Sequence, residues 1–189
     1  DYSASQTYAG PDPGIDAEAA WALGTEGDLV TLADVEYGWI TEHEDLVDVG
    51  IQGESGHTVP SWVASYGWDH HGTAVLGETS APHNGYGVSV LVPAAQVRVY
   101  PEYSDQAGSR RAAAVASAAA DLSAGDVILL EMQASGDSGY GPAELTASVW
   151  TSTRTAVDAG IVVVAAAGNG SQDLDSSWYQ TNYLSRGDS

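Results

Sequence analysis

The chain has no cysteine, no lysine and a single methionine. Without cysteine it forms no disulfide and offers no thiolate to a metal, although that alone assigns no compartment. Its basic residues are five arginines, set against 26 aspartates and glutamates, so the formal net charge is −21 at pH 7. A surface of that sign repels nucleic acid and anionic membranes, which leaves cationic partners, calcium among them. Long apolar runs are also missing, and none approaches the ~20 residues that a bilayer span needs. No basic leader followed by an apolar core opens the sequence at Asp1, so any targeting peptide is expected to have been removed or never to have existed. An acidic, lysine-free surface suits a secreted protein or one working at high salt, and an extracellular location is expected. His43, His57 and His83 lack zinc spacing, so no transition metal is expected.

What is present is enough for one globular domain: 189 residues, 43% of them hydrophobic, with no repeat and no evident linker. Residues 1–14 are rich in Ser, Gly and Pro and read as an extended arm. Beyond them the pattern alternates. A short helix is expected in IDAEAAWAL, a strand in DLVTLADV, a helix in HGTAVLGETSA closed by Pro82, and a strand in AQVRVYP. An alanine-rich helix follows in SRRAAAVASAAADL and stops at Gly125, then a buried strand in DVILLEM. A helix from Pro142 to Gly160 carries Leu145, Val149 and Ala156 on one face, and IVVVAAAGN reads as the fourth strand. Continuous apolar strands separated by helices imply an α/β fold, doubly wound, with a mainly parallel sheet covered on both faces. Ligands of such sheets bind beyond the carboxyl ends of the strands, which places Asp34, Gln133 and Asn169 near one another.

Asp34 at a strand end, His71 at a helix start and Asn169 in a glycine turn form a chemically coherent set. A carboxylate orients an imidazole, the imidazole takes a proton from a nucleophile, and a side-chain amide donates to a developing oxyanion. Taken singly each has a plainer reading: an aspartate at a strand end or a histidine at a helix start is often a cap, and Asn between glycines is often only a turn. Four segments in this order resemble the subtilisin-like serine proteases: VTLADVEYGWITEHEDL, HGTAVLG, NGYGVSVLVPAAQVRVY and GIVVVAAAGN. The resemblance covers about residues 15 to 175.

That resemblance implies a subtilisin-like fold and a serine endopeptidase acting on extended polypeptides through an acyl-enzyme. It makes Asp34 the orienting acid, His71 the general base and Asn169 the oxyanion donor. His70 then becomes a neighbour that shapes the rim or bonds to Asp69. Gln133, Ala134, Ser135 and Gly136, following Met132, match the strand that pairs with substrate backbone, and Ala166, Ala167 and Gly168 match one wall of the side-chain pocket. Asp45 and Asn84 match positions of a structural calcium site, to which carbonyls of the 82–88 loop would add oxygens. No organic cofactor is implied.

The sequence departs from the family pattern at Val35, Glu36 and Tyr37 after the acid, at Ala74 in the histidine segment and at Gln133 in the substrate strand. The Gly-Thr-Ser type motif that carries the nucleophile is absent. The chain is therefore expected to be the N-terminal part of a single catalytic domain, nicked near Ser189, with a complementary C-terminal fragment as partner. The terminal RGDS lacks the surroundings that would make it a chymotrypsin-type or adhesion motif. The alternative is a catalytically inactive subtilisin-fold binding or scaffold domain.

Overall fold

A computed structural model describes Pro11, residues 14–88 and residues 90–187. The expected arm thus lies almost wholly outside the described residues, as do the last two residues of RGDS. The strands are β1 (Thr31–Glu36), β2 (Gln52–Gly53), β3 (Gln96–Pro101), β4 (Tyr103–Ser104), β5 (Gly108–Ser109), β6 (Val127–Leu130), β7 (Gln133–Ser135), β8 (Tyr140–Pro142) and β9 (Val162–Ala165). The helices are α1 (Ala17–Ala22), α2 (Ser61–Ser65), α3 (Asp69–Thr79), α4 (Arg111–Asp121), α5 (Ala147–Asp158) and α6 (Ser177–Asn182). Five strands form the sheet β2-β3-β1-β6-β9, while β4-β5 and β7-β8 are two-stranded ribbons. β6 and β9 are parallel, with Val127 opposite Val162 and Leu130 opposite Ala165. The doubly wound α/β class expected from the sequence is the fold found.

Contacts divide the chain into two compact units, one of the chain up to Leu32, Tyr37–Gly53 and Pro60–Arg98, the other of Ala33–Glu36, Glu54–Val59 and Val99 onward. In the first unit Trp21 of α1 donates from its indole to the Leu91 carbonyl at 3.0 Å and meets His83 edge-on, which fixes α1 over the loop that enters β3. Tyr37, Trp62, Trp68 and Tyr66 form a chain of ring contacts beside the start of α3.

The second unit holds the larger core. Ala114, Val115 and Ala118 recur at helical spacing on α4, and Val149, Thr153 and Ala156 on α5; α4 and α5 pack together, with α4 also on β6 and α5 on β9. Alanine favours the helix and keeps that face thin. Ile128 and Leu130 of β6 are fully buried, each contributing about 1.5–3 kcal/mol of hydrophobic stabilisation.

Three local expectations are corrected. β1 begins at Thr31 rather than Asp28, because Leu29 takes a left-handed φ of 66° and Val30 closes a turn onto the Gly27 carbonyl. Pro142 does not open a helix: it ends β8, a 3₁₀ turn spans Ala143–Leu145, and Thr146 is extended before α5 starts. β9 is not buried on both faces: Val163 packs on the core, while the opposite face is uncovered and leaves Val162 and Val164 52% and 49% exposed.

Candidate active site

Asp34 is the fourth residue of β1 and is completely buried. The Glu131 N–H donates to the Val35 carbonyl at 3.3 Å, and the Ala166 N–H to the Leu130 carbonyl at 3.0 Å. These two bonds bring the carboxyl ends of β1, β6 and β9 side by side.

His71 is the third residue of α3 and is exposed, as is His70. The helix starts at Asp69, two residues earlier than the motif suggests, so both histidines lie on it. Helical geometry then separates them. His70, Thr73, Ala74, Gly77 and Glu78 share one face and, with Ile40, Leu46 and Val88, line an open pocket of about 580 Å³. His71 does not line it. His70 stands 3.9 Å from an Asp69 carboxylate oxygen, too far for a hydrogen bond but within reach of an ion pair when protonated. Thr73 does more than cap: its hydroxyl donates to the Asp69 carbonyl at 2.7 Å and accepts the Ile40 N–H at 2.9 Å. The segment that follows β1 is thereby tied to the first turns of α3.

Asn169 follows β9 in an exposed turn that packs closely against the β7-β8 ribbon. Gly168 has φ +89° and lies so close to Gly141 of β8 that a Cβ would stand 2.7 Å from that backbone. A Cβ on Gly170 would collide with the backbone of Tyr140. Only glycine fits at both positions. The Asn169 N–H donates to Gln133 Oε1 at 2.9 Å. Asn169 is thus seated on the β7-β8 ribbon from three directions, and among the described residues nothing accepts a bond from its side-chain amide.

Of the expected substrate residues, Gln133, Ala134 and Ser135 form β7, paired antiparallel with Pro142, Gly141 and Tyr140. The Gly136 N–H closes the ribbon on the Gly139 carbonyl at 2.7 Å. Ala166 and Ala167 continue from β9 into Gly168, with Ala167 exposed. Tyr179 of α6 fills the space under the ribbon, where a Cβ on Gly136 or Gly141 would meet its hydroxyl. That side chain, like Arg111 and Glu102, had no local signal in the sequence, because its contacts join segments distant in the chain.

The loop expected to serve calcium folds over Asp45. Its Oδ1 accepts the Val88 N–H at 3.1 Å, a Cβ on Gly87 would strike it, and the Tyr86 hydroxyl donates to the Glu44 carbonyl. Asn84 Oδ1 accepts the Tyr86 N–H at 3.3 Å. Among the described residues no group of three or more His, Asp or Glu side chains could hold a metal, so a cation here would depend on backbone and amide oxygens.

With this geometry in view, the chain has the subtilisin-like α/β fold, of which it comprises part. The structure superposes on the crystal structure of the nisin leader peptidase NisP from Lactococcus lactis with a TM-score of 0.60 at 20% identity, covering 98% of this chain and 56% of that one. A cold-adapted subtilisin-like serine proteinase superposes over 73% of this chain and 46% of its own, at 16% identity and a TM-score of 0.48. Over 84 residues, 44% of the chain, the sequence is 37% identical to the minor extracellular protease Epr of Bacillus subtilis (strain 168), and the match spans 12% of that protein. No protein-family model matches.

Proposed function

We propose that this chain supplies the acid, the base and the oxyanion donor of an extracellular serine endopeptidase, and that the serine resides on a further segment of the same domain. The observation that carries the reading is the seating of Asn169: an exposed side-chain amide held at a strand end by a backbone anchor and two glycines that tolerate no side chain. Its sequence support is the 37% identity to a protein named as an extracellular protease. In the reaction the serine Oγ attacks the scissile carbonyl carbon as its proton passes to His71. Asp34 holds the imidazole in its tautomer and stabilises the imidazolium. Asn169 Nδ2 donates to the oxyanion. Collapse of the tetrahedral intermediate transfers the proton from His71 to the leaving amine and leaves an acyl-enzyme. Water then attacks the ester, with His71 again accepting and returning the proton.

The exposed outer strand supports a complementary segment. Val163 packs on the core, whereas Val162 and Val164 face away from it with half their surface open. Apolar side chains on an open sheet edge are where further strands or helices of one domain add. The assembled protein is expected to react with a fluorophosphonate at one serine outside residues 1–189. Failure to label would favour the inactive binding or scaffold domain. Calcium in the Asp45 loop is part of the same reading: EDTA should lower Tm by about 5 °C or more, the loss of a ligand bound well above its Kd, and an unchanged Tm would remove the ion.

A further inference from the structure

A polar chain runs through the second unit to the backbone of Asn169. Glu102, 3% exposed, stands at 2.6 Å from Nε of Arg111, the first residue of α4. Arg111 Nη2 donates to the main-chain carbonyl of Gln133 at 2.8 Å. Gln133 Oε1 in turn accepts the main-chain N–H of Asn169 at 2.9 Å. The four residues come from β3–β4, α4, β7 and the turn after β9, so no local sequence rule joins them.

An oxyanion donor acts only if its N–H lies about 2.7–3.1 Å from where the charge develops, and a misplacement of about 1 Å can cost about 10²-fold in rate. The side chain of Asn169 is exposed, so its aim depends on how its backbone is held. We propose that Gln133 and Arg111 are positioning residues for the oxyanion donor: Gln133 fixes the Asn169 backbone, and Arg111, anchored on Glu102, fixes Gln133. The inference rests on the endopeptidase reading, and its anchor can be tested separately from that reading.

In the assembled enzyme Gln133→Leu is expected to lower kcat about 10- to 100-fold while KM and the pH profile stay nearly unchanged, since only transition-state stabilisation is lost. Arg111→Met should act in the same direction, more weakly. A rise in KM with kcat unchanged would show instead that Gln133 holds substrate, and would overturn the proposal. Amide hydrogen exchange on the same protein reads the anchor itself. Protection of the Asn169 N–H should fall at least tenfold in Gln133→Leu and persist in Gln133→Glu, which keeps an acceptor oxygen there. Unchanged exchange in Gln133→Leu would also overturn it. A wild type that neither labels with fluorophosphonate nor cleaves peptides sinks the endopeptidase reading and the catalytic part of this one, while exchange still decides the anchor. If Gln133→Leu does not fold, Arg111→Met carries both measurements.

Discussion

At the scale of the residue, the adjacent histidines of α3 make the sharpest test. His70 faces the pocket beside Thr73 and Ala74, and His71 lies about 100° further round the helix. His71→Ala should cut kcat/KM by about 10²- to 10⁴-fold or more, the contribution of a general base, and His70→Ala should change it by less than about threefold. The reverse outcome would exchange their roles. Glu144 offers a second test, read through pH. It is 4% exposed, with Oε2 lacking a hydrogen-bond partner among the described residues, and burial raises its carboxyl above the ordinary range, partly offset by its own backbone N–H. Among the described residues Tyr183 and Arg186 stand beside it, the Arg186 guanidinium donating to the Glu144 main-chain carbonyl at 2.8 Å. The folded state holds the proton more tightly than the unfolded chain. The stabilising contribution is therefore complete below the unfolded value near ~4.3 and is lost as pH rises through the folded value. Glu144→Gln should raise Tm at pH 7 by about 2–4 °C, the effect of about 1 kcal/mol in a chain of this size, with the two curves meeting near pH 4. Equal Tm values across that range would show that the buried charge carries no penalty.

Elements show most clearly what a sequence reveals and what it withholds. β3, α4 and the course of β6 and β9 were legible because their apolar residues keep a regular period, which depends only on neighbours along the chain. The start of β1 was not, since Leu29 adopts a left-handed conformation that its side chain gives no reason to expect. Pro142 misled because a proline at a first helical turn and one closing an edge ribbon look alike until the ribbon's partner is known. The candidate site divides in the same way. Motif order alone puts Asp34, His71 and Asn169 forward as candidates, whereas the ion pair of Glu102 with Arg111 and the bond from Arg111 to the Gln133 carbonyl join segments distant in the chain. The connection from Glu54 to Val59 is held by another such contact. Arg110, 7% exposed, grips Glu54 with both guanidinium ends at 2.6 Å and donates to the Pro101 carbonyl at 2.8 Å. His57 on the same connection bonds to the Ser104 hydroxyl at 2.9 Å. Arg110→Ala strands a buried carboxylate and should cost about 3–5 kcal/mol in denaturant unfolding. Replacing both partners, Arg110→Met with Glu54→Leu, should recover most of that loss. A loss below ~1 kcal/mol in the single variant would mean that water enters and solvates Glu54.

For the molecule as a whole, the open edge at β9 is where the fold and the proposed chemistry meet. The chain spans 56% of the NisP structure on which it superposes, and helices α4 and α5 already protect the core on the Val163 side of β9. The opposite side presents Val162 and Val164, bare β-branched side chains in an otherwise strongly acidic protein. Exposed hydrophobic side chains contribute little to the stability of the chain that bears them, but desolvating them drives association. The double variant Val162→Lys with Val164→Lys should therefore leave the Tm of this chain within about 2 °C of wild type, as surface substitutions do. Val163→Lys places its charge against the core and should lower Tm by far more. In the assembled protein the order reverses in meaning: the double variant should separate from the segment proposed to bear the serine and lose fluorophosphonate labelling, although every residue assigned to proton transfer and oxyanion binding is intact. Size-exclusion chromatography with the labelling assay reads both effects on one sample. A double variant that stays assembled and labels at the wild-type rate would place the complementary segment elsewhere on the fold.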